Sequence, residues 1–553
     1  MTAPPVAASG AAVLLGRLQD ALEGLTGWRA GLASGLLGAL AVLGFAPFFL
    51  WPVFGISVLL LAALLDAAAR RSRAEGWKPG RALRSVAWRG WCFGAGNTLA
   101  GMTWVASAFL VDAEQFAALI PLALAALSGG LGLFWAMGAM LYRLCWSPTG
   151  WRVLAFAGAY GAAELARGHW FTGLPWNLPA YVFEAGGLVS QSGALLGAYG
   201  VSALAVLVFA APLAWGARGG RFVVALAVAL TGAALAFGAW RLQEAGAPGA
   251  RTGPDAPLIA TGQAGFTQAE VWDPANTMDI VSSHLALLER PEAASADIVV
   301  WPESAMPVIL LQEPGVLEAI NARLGGRTLV TGTLRIDDAG FADGAPLRQI
   351  YNSVISIVQE NGALRLGGLH DKHHLVPFGE YVPFQDLLSR VGLQSLASVV
   401  GGITAGPEPG IMTVPGAPAA DPRVCYEIIF PDFNRPAAKT AGWILNVSVD
   451  AWYGDGLGPD QHYALARWRA IETGLPLVRA ASGGWSGVID PWGRALSEHR
   501  RGAGYAIAKL PDRTMTIYSL LLPPLSLVVL VLFLMIAGGM SALLSQGLTS
   551  RKE

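Results

Sequence analysis

Long apolar stretches with almost no charged residues occupy the first 240 residues and the C-terminal end of the chain. A membrane-spanning helix needs about 20 apolar residues, so each stretch is long enough for at least one. The first stretch contains Pro47 and Pro52, which predict two helices joined by a tight turn, whereas Glu164 and Arg167 weaken the stretch in which they lie. The pattern predicts eight spanning helices, in the stretches 30–65, 90–111, 116–142, 153–171, 185–217, 222–240 and 514–550.

Between the last two stretches the pattern changes to short β-branched runs separated by helical and Gly/Pro-rich segments. Helical periodicity predicts helices at 277–288 and 462–473. Strands that alternate with helices are typical of an α/β layered domain. The runs that predict strands are 258–260, 298–301, 328–331, 354–357, 424–430, 443–448, 477–479 and 487–489.

The composition agrees with a chain that lies partly in lipid. Hydrophobic residues make up 54% of the 553 residues, charged residues only 14%, and the mean hydropathy is +0.48. Soluble domains carry about 25% charged residues. The length predicts at least two domains, and the net charge of −1 argues against a nucleic-acid partner.

Lys and Arg collect on one side of the predicted membrane, which indicates the cytoplasmic side. Both termini are therefore expected in the cytoplasm, and the first apolar run is too long for a cleaved signal peptide. The chain divides into a membrane domain at 1–240 with seven helices, an extracytoplasmic domain at 241–513, and a last spanning helix with a cytoplasmic tail at 514–553. The basic residues between the second and third helices are Arg70, Arg71, Arg73, Lys78, Arg81, Arg84 and Arg89.

Three segments of the extracytoplasmic domain carry candidate acyl-transfer chemistry. Cys425, at the end of a predicted buried strand, is a candidate nucleophile, which needs a nearby base or cation. Glu303 follows an apolar run and is the natural proton acceptor. Lys372 is suited to stabilising an oxyanion, assisted by a backbone N–H after Cys425. Glu380, eight residues beyond Lys372, could position the lysine or move protons.

Each of these residues taken alone is more often structural: a buried core thiol, a surface carboxylate, a solvated lysine. Their joint occurrence favours the catalytic interpretation. Cys92 and Cys145 are interpreted as structural, and His373 and His374 lack a third ligand at metal-binding spacing. No P-loop or dinucleotide fingerprint is present, so we expect no metal and no cofactor.

The sequence resembles the apolipoprotein N-acyltransferases, the membrane-embedded branch of the nitrilase superfamily, over nearly its whole length. The segments that are similar to the family's glutamate, lysine and cysteine motifs are Trp301-Pro302-Glu303-Ser304-Ala305-Met306-Pro307, Lys372 with His374-Leu375-Val376-Pro377-Phe378-Gly379-Glu380, and Cys425-Tyr426-Glu427-Ile428-Ile429-Phe430. Two further segments are similar to a tryptophan motif and to a periplasmic loop of the family, Trp272-Asp273-Pro274 and Phe171-Thr172-Gly173-Leu174-Pro175-Trp176.

The resemblance implies a nitrilase-like α-β-β-α sandwich between the last two spanning helices of a bacterial inner-membrane protein, with that domain in the periplasm. It implies Glu303 as base, Lys372 as oxyanion stabiliser and Cys425 as nucleophile. Four residues would support the site: Glu380, Tyr426, Glu427 and Trp272.

The resemblance also implies a two-step reaction of a monomer. Cys425 would take an acyl chain from a phospholipid as a thioester, and the α-amine of a diacylglyceryl-modified N-terminal cysteine of an apolipoprotein would accept it. The partners are then membrane lipid, the phospholipid donor and the diacylated apolipoprotein.

Two other functions are compatible with the residues. One is a membrane-tethered nitrilase-type amidase that passes the acyl group to water, and the other is a transporter or scaffold. The predicted spanning helices contain few ionisable residues of the kind an ion path needs. Two positions depart from the family pattern: Val449 precedes Asp450, where the family tends to have Asn, and an Asn-rich segment is replaced around Ser482-Gly483. These departures put the fit of the acceptor in question.

Overall fold

The computed structural model describes residues 21–342, 345–382, 402–520 and 525–549, with the side chains of 338–347 and 541–549 left out. The described residues fall into two compact units. The helical unit lies within Met1–Ala106, Phe116–Trp240 and Leu521–Glu553, and the sheet unit within Ser107–Gln115 and Arg241–Leu520.

Eight helices of 15 or more residues lie wholly or mostly in the described part of the helical unit, and all but one lie close to the stretches that predict them. The exception is the third, Pro79–Gly101, which begins 11 residues before the predicted stretch 90–111 and contains basic residues that were expected in the preceding loop. Five helical segments are long and apolar enough to cross a membrane: Gly27–Gly44, Trp51–Ala74, Ala113–Leu144, Val189–Ala214 and Gly220–Ala245. The eight helices are α1 (Gly27–Ala41), α2 (Trp51–Ala74), α3 (Pro79–Gly101), α4 (Ile120–Leu144), α5 (Arg152–His169), α6 (Gly193–Ala210), α7 (Gly220–Ala245) and a C-terminal helix (Leu525–Thr549).

Three of the eight helices are not among these five segments, because they are more polar or have a shorter apolar part. Helix α3 carries Arg81, Arg84 and Arg89, helix α5 carries Glu164 and Arg167, and the C-terminal helix is apolar over Leu525–Met540. The eight helices equal in number the spans that the sequence predicts, whereas length and composition qualify five helical segments of the described residues as spanning.

Glycines bring α3 very close to α1 and α4. A Cβ atom on Gly38 would lie 2.0 Å from the carbonyl oxygen of Phe93, and one on Gly90 would lie 2.4 Å from that of Trp135. Apolar helices in lipid associate mainly through such tight packing of small residues, because lipid offers no hydrophobic driving force. The small residues of these apolar stretches therefore determine which helices can be neighbours.

The sheet unit contains two sheets. Their strands are β1 (Leu258–Gln263), β2 (Ile298–Val300), β3 (Thr328–Ala342), β4 (Ala345–Glu360), β5 (Ala363–Asp371), β6 (Ala420–Val424), β7 (Trp443–Val449), β8 (Leu477–Ser482), β9 (Trp485–Ile489), β10 (Ala495–Arg500) and β11 (Gly504–Lys509). One sheet has six strands in the order β11-β1-β2-β3-β4-β5, and the other has five in the order β10-β9-β8-β7-β6.

The two sheets pack face to face, with helices on their outer sides. Residues from both sheets form one buried cluster that includes Ile298, Val330, Val447 and Val478. Helices α8 (Thr277–Leu287) and α9 (Pro314–Leu324) bury their apolar faces against the other side of the six-stranded sheet, and α10 (Gly458–Thr473) packs against the five-stranded sheet. The predicted α-β-β-α sandwich is confirmed.

Short helices complete the described fold: Val105–Phe109, Ala113–Phe116, Gln268–Trp272, Pro291–Ala294 and Ile517–Leu520. One predicted strand is wrong. The run 424–430 was expected to be a strand, but the strand is Ala420–Val424 and a 3-10 helix, Cys425–Ile429, follows it directly. The β-branched residues of this run pack inside the domain as a helical turn, so their burial does not require an extended backbone.

Candidate active site

Cys425 lies at a sharp turn from strand β6 into the 3-10 helix. Its φ is +49°, in the left-handed region that L-residues rarely adopt, which costs about 1–3 kcal/mol. The side chain is buried, with 7% of its surface exposed. Such strain persists only where the surroundings hold the backbone in place, so the turn presents the thiol at a defined position.

Glu427 supplies that restraint. One oxygen of its fully buried carboxylate accepts hydrogen bonds from the backbone N–H groups of His373 (2.8 Å) and His374 (2.9 Å), and the other accepts from the N–H of Val424 (2.7 Å). Burial acts to raise the pKa of Glu427, but His370 and these N–H donors outweigh it and lower that pKa. The carboxylate therefore ties the turn at Cys425 to the segment that follows Lys372.

Lys372 directly follows strand β5 and is 1% exposed. Its Nζ lies 2.9 Å from Oε1 of Glu380 and 3.6 Å from Oε1 of Glu303. Its backbone is held on both sides, because its N–H donates to the carbonyl of Asn352 (2.8 Å) and its carbonyl accepts from the N–H of Gly406 (2.7 Å). The ammonium group is thus fixed between two carboxylates.

The two carboxylates are joined by Asn352 on strand β4. Its Nδ2 donates to Oε1 of Glu303 (2.7 Å) and to Oε1 of Glu380 (3.1 Å). The second oxygen of Glu303 accepts from the backbone N–H of Val449 (2.9 Å), and that of Glu380 accepts from the N–H of Val376 (2.8 Å). Both carboxylates are therefore oriented by donors on each oxygen.

A glycine makes room for Glu303. A Cβ atom on Gly332 would lie 2.4 Å from the Cα of Glu303, and the N–H of Gly332 donates to the carbonyl of Pro302 at 3.0 Å. Strand β3 can pass this close to the segment after β2 only because the position has no side chain. The backbone of the glutamate is therefore held by the neighbouring strand.

The pKa values of the thiol and of the lysine are both raised, for different reasons. Burial is the main cause that raises the pKa of the Cys425 thiol to about 12; the carboxylate of Glu303 adds to this, while Lys372 and Ser448 act in the opposite direction. Burial acts to lower the pKa of Lys372, but the carboxylates of Glu380 and Glu303 outweigh it and hold that pKa above its ordinary value. At neutral pH the resting site therefore holds a thiol and an ammonium ion.

A second polar network lies on the other side of the thiol. Oγ of Ser448 is 3.4 Å from Sγ of Cys425 and donates to Oδ1 of Asp450 at 2.7 Å. The buried Asp450 carboxylate also accepts from Arg479 (2.6 and 2.8 Å) and contacts Nδ1 of His462 at 2.9 Å. Burial acts to raise the pKa of Asp450, but Arg479 and His462 outweigh it and hold that pKa well below its ordinary value.

The remaining predicted residues lie at different distances from the chemistry. The Tyr426 ring is buried and makes edge-to-face contacts with Phe430 (5.0 Å between centroids) and His374 (5.7 Å). Trp272 is 61% exposed and contacts Trp452 edge to face. The structure thus brings Glu303, Lys372, Cys425, Glu380 and Glu427 together, and leaves Trp272 on the surface of the described residues.

The departures at Val449 and at Ser482-Gly483 have a structural explanation. Val449 contacts Glu303 through its backbone N–H, which any residue except proline supplies. Gly483 has a φ of +71° and donates its N–H to Gln263 at 2.8 Å. A Cβ atom on Gly484 would lie 2.2 Å from Asp450, so this segment has to be small.

A cavity of about 40 Å³ adjoins the glutamate, with room for one or two water molecules. Its lining includes Gln263, Phe266, His284, Glu303 and Val449. Burial lowers the pKa of His284 to about 4, so this histidine is neutral at physiological pH. Across the described residues, no three His, Cys, Asp or Glu side chains are grouped as a metal site would require.

Sequence reasoning missed the residues that orient the three central groups. Asn352, Ser448, His462 and Arg479 were not singled out, and Asp450 was noted only inside a family motif. A polar residue at the end of an apolar strand was a usable signal for Ser448. Asn352 carries no such local signal.

The fold and the site define a nitrilase-type domain. Residues 258–517 match the family model described as carbon–nitrogen hydrolase, and residues 37–211 match that of the apolipoprotein N-acyltransferase N-terminal domain. A solved structure, Nit3 of Saccharomyces cerevisiae, a member of branch 10 of the nitrilase superfamily, is 19% identical, covers 47% of this chain and 93% of its own, and has a TM-score of 0.35.

Full-length relatives determine the family. The apolipoprotein N-acyltransferase of Brucella melitensis is 41% identical over 87% of this chain and 89% of its own length. That of Allorhizobium ampelinum is 39% identical over 88% and 90%. The chain belongs to the apolipoprotein N-acyltransferase family, which confirms the resemblance of the motifs.

Proposed function

We propose that this chain is a bacterial inner-membrane enzyme that transfers an acyl chain from a phospholipid to the N-terminal diacylglyceryl-cysteine of apolipoproteins. The acyl group would pass through a thioester on Cys425. The observation that carries this proposal is the convergence of Glu303, Lys372 and Cys425 in a chain of this family.

In the first step Glu303 would accept the thiol proton while Sγ of Cys425 attacks the ester carbonyl of the phospholipid. Because the pKa of the resting thiol is about 12, proton transfer has to accompany the attack. The ammonium group of Lys372 would stabilise the oxyanion, assisted by a backbone N–H of the turn after Cys425. Collapse of the intermediate breaks the ester C–O bond, and Glu303 returns the proton to the departing lysophospholipid.

In the second step the neutral α-amine of the acceptor attacks the thioester carbonyl. Glu303 would accept a proton from the attacking nitrogen, and the C–S bond breaks as the amide forms. The proton on Glu303 then restores the Cys425 thiol. Glu380 holds Lys372 in both steps through the 2.9 Å ion pair, while Glu427 and Tyr426 hold the turn.

Trp272 and the surface around it are proposed to receive the lipid-anchored substrates, since an exposed aromatic side chain suits an apolar partner. The sheet unit is proposed to lie in the periplasm, with both termini in the cytoplasm. Both the donor and the acceptor are anchored in lipid, so an enzyme that joins them has a use for spanning helices. An amidase that acts on a soluble substrate would not need such helices.

Mass spectrometry of the purified chain after incubation with phospholipid tests the proposal. An acyl adduct on the peptide containing Cys425 is expected, and it should disappear in Cys425→Ala but persist in Cys92→Ala. Subsequent addition of a diacylated lipopeptide should release N-acylated peptide. Release of free fatty acid instead would favour the amidase. A wild-type rate of turnover in a folded Cys425→Ala variant would refute the thioester mechanism.

A further inference from the structure

A second cavity, of about 240 Å³, lies in the helical unit where the end of α2 and the beginnings of α1 and α3 meet. It is lined by Thr26, Gly27, Arg71, Trp77, Arg81 and Arg89, among others. None of its lining residues belongs to the unit that contains Cys425. This is the face that the distribution of Lys and Arg predicts to be cytoplasmic.

The positive charges of this cavity are only partly neutralised. Arg71 pairs with Glu75 at 2.6 Å, and Glu23 at the cavity wall pairs with Arg70 at 3.1 Å. In the described part of the chain, no carboxylate lies within 4 Å of the guanidinium groups of Arg81 or Arg89. Neither guanidinium group therefore forms an ion pair, although Glu75 is near enough to Arg81 to interact with it electrostatically.

The two guanidinium groups are held in place by neutral partners. That of Arg81 lies over the ring of Trp77, 4.2 Å from its centroid. Arg89 is 6% exposed and donates to the carbonyl and hydroxyl of Ser85 (both 2.8 Å) and to the carbonyl of Leu25 (3.0 Å). Its Nε has no hydrogen-bond partner among the described residues. These contacts orient the charges without neutralising them.

The first turn of α1 adds a third positive feature. The helix begins at Gly27, and its N-cap residue Thr26 makes no side-chain capping hydrogen bond. Unpaired N–H groups and the positive end of the helix dipole favour an anion at such a position. Both residues line the same cavity as Arg81 and Arg89.

We infer that this cavity binds the phosphodiester of an anionic phospholipid headgroup. Basic pockets between spanning helices on the cytoplasmic side are suited to this chemistry. The helix that supplies Thr26 and Gly27 also exposes an apolar stripe, in which Leu32, Leu36 and Leu40 are 55%, 56% and 48% exposed. A headgroup held in the cavity can leave its acyl chains beside such a surface, whereas free phosphate would not use it.

The test is native mass spectrometry of the full chain in detergent, with added phosphatidylglycerol, phosphatidylcholine or inorganic phosphate. Wild type should retain phosphatidylglycerol in preference to phosphatidylcholine. Arg81→Gln should bind phosphatidylglycerol about fivefold more weakly, the effect of about one basic residue near a lipid surface. Arg84→Gln is the matched control, because Arg84 lies on the same helix, is exposed and does not line the cavity.

Equal weakening by Arg81→Gln and Arg84→Gln would overturn the inference in favour of a diffuse surface charge. Unchanged binding by Arg81→Gln, or equal retention of the zwitterionic lipid, would also overturn it. Displacement of the lipid by inorganic phosphate at equal concentration would overturn the lipid assignment. Arg81 is exposed, so its variant should fold, and lipid binding is measured without turnover, so failure here leaves the proposed acyl transfer untouched.

Discussion

Replacing Ser448 by alanine should make the Cys425 thiolate less stable. The hydroxyl of Ser448 has one proton and two acceptors, Asp450 at 2.7 Å and the sulfur of Cys425 at 3.4 Å. In the resting thiol state it can donate to Asp450. When the sulfur becomes anionic the hydroxyl can turn to it, because Asp450 keeps its contacts with Arg479 and His462.

The magnitude follows from the geometry. A hydrogen bond to a charged group contributes about 1.5–3 kcal/mol. The long O···S distance and the competition from Asp450 place the Ser448–Cys425 hydrogen bond at the lower end of this range. A free energy of about 1.4 kcal/mol changes an equilibrium constant by a factor of ten. Ser448 opposes the effect of burial on the pKa of the thiol, so its loss should raise that pKa. We expect Ser448→Ala to lower the thiolate population at a given pH about tenfold.

The assay is the rate of alkylation of Cys425 by iodoacetamide, read by mass spectrometry on its own peptide so that Cys92 and Cys145 do not interfere. Single-turnover formation of the thioester should fall by a similar factor. Ser486→Ala is the matched control, since the Ser486 hydroxyl is also buried and hydrogen-bonded, to the N–H of Ala481 at 3.0 Å. Equal alkylation rates in wild type and Ser448→Ala would refute the reasoning.

Three further predictions follow from the site and the fold. Lys372→Met should make Glu380→Gln nearly silent in single-turnover thioester formation, because the glutamate acts mainly through its 2.9 Å ion pair; rate losses that simply multiply would show that it acts alone. Asp450→Asn should lower the unfolding temperature at pH 7, because it leaves Arg479 buried without its anion. Because the folded state lowers the pKa of Asp450, the stabilisation by its carboxylate is present above the unfolded-state pKa, about 3.9, and is lost as the pH falls below that value. A difference in unfolding temperature between wild type and Asp450→Asn that does not change with pH would contradict this role of the ion pair. In intact cells a membrane-impermeant thiol reagent should label Ala363→Cys and spare Arg73→Cys, and the reverse pattern would place the sheet unit in the cytoplasm.

The sequence by itself determined the features that depend on short segments or on residue type. The apolar stretches predict the helices because burial in lipid depends on the hydropathy of each segment. The alternation of β-branched and helical segments predicts the layered domain because each strand or helix has to bury its apolar face against another element. Glu303, Lys372 and Cys425 could be selected because a nucleophile, a base and a cation form a recognisable chemical set.

The tertiary structure decided how those groups are held. Cys425 was expected in a strand, but the chain turns there into a helix with φ at +49°, and the restraint on that turn comes from Glu427. Asn352 is 49 residues from Glu303 and 28 from Glu380 in sequence, yet it joins the two carboxylates. Ser448 reaches the thiol because β7 pairs with β6. Such contacts depend on strand pairing and sheet packing between distant segments, and no local pattern in the chain encodes them.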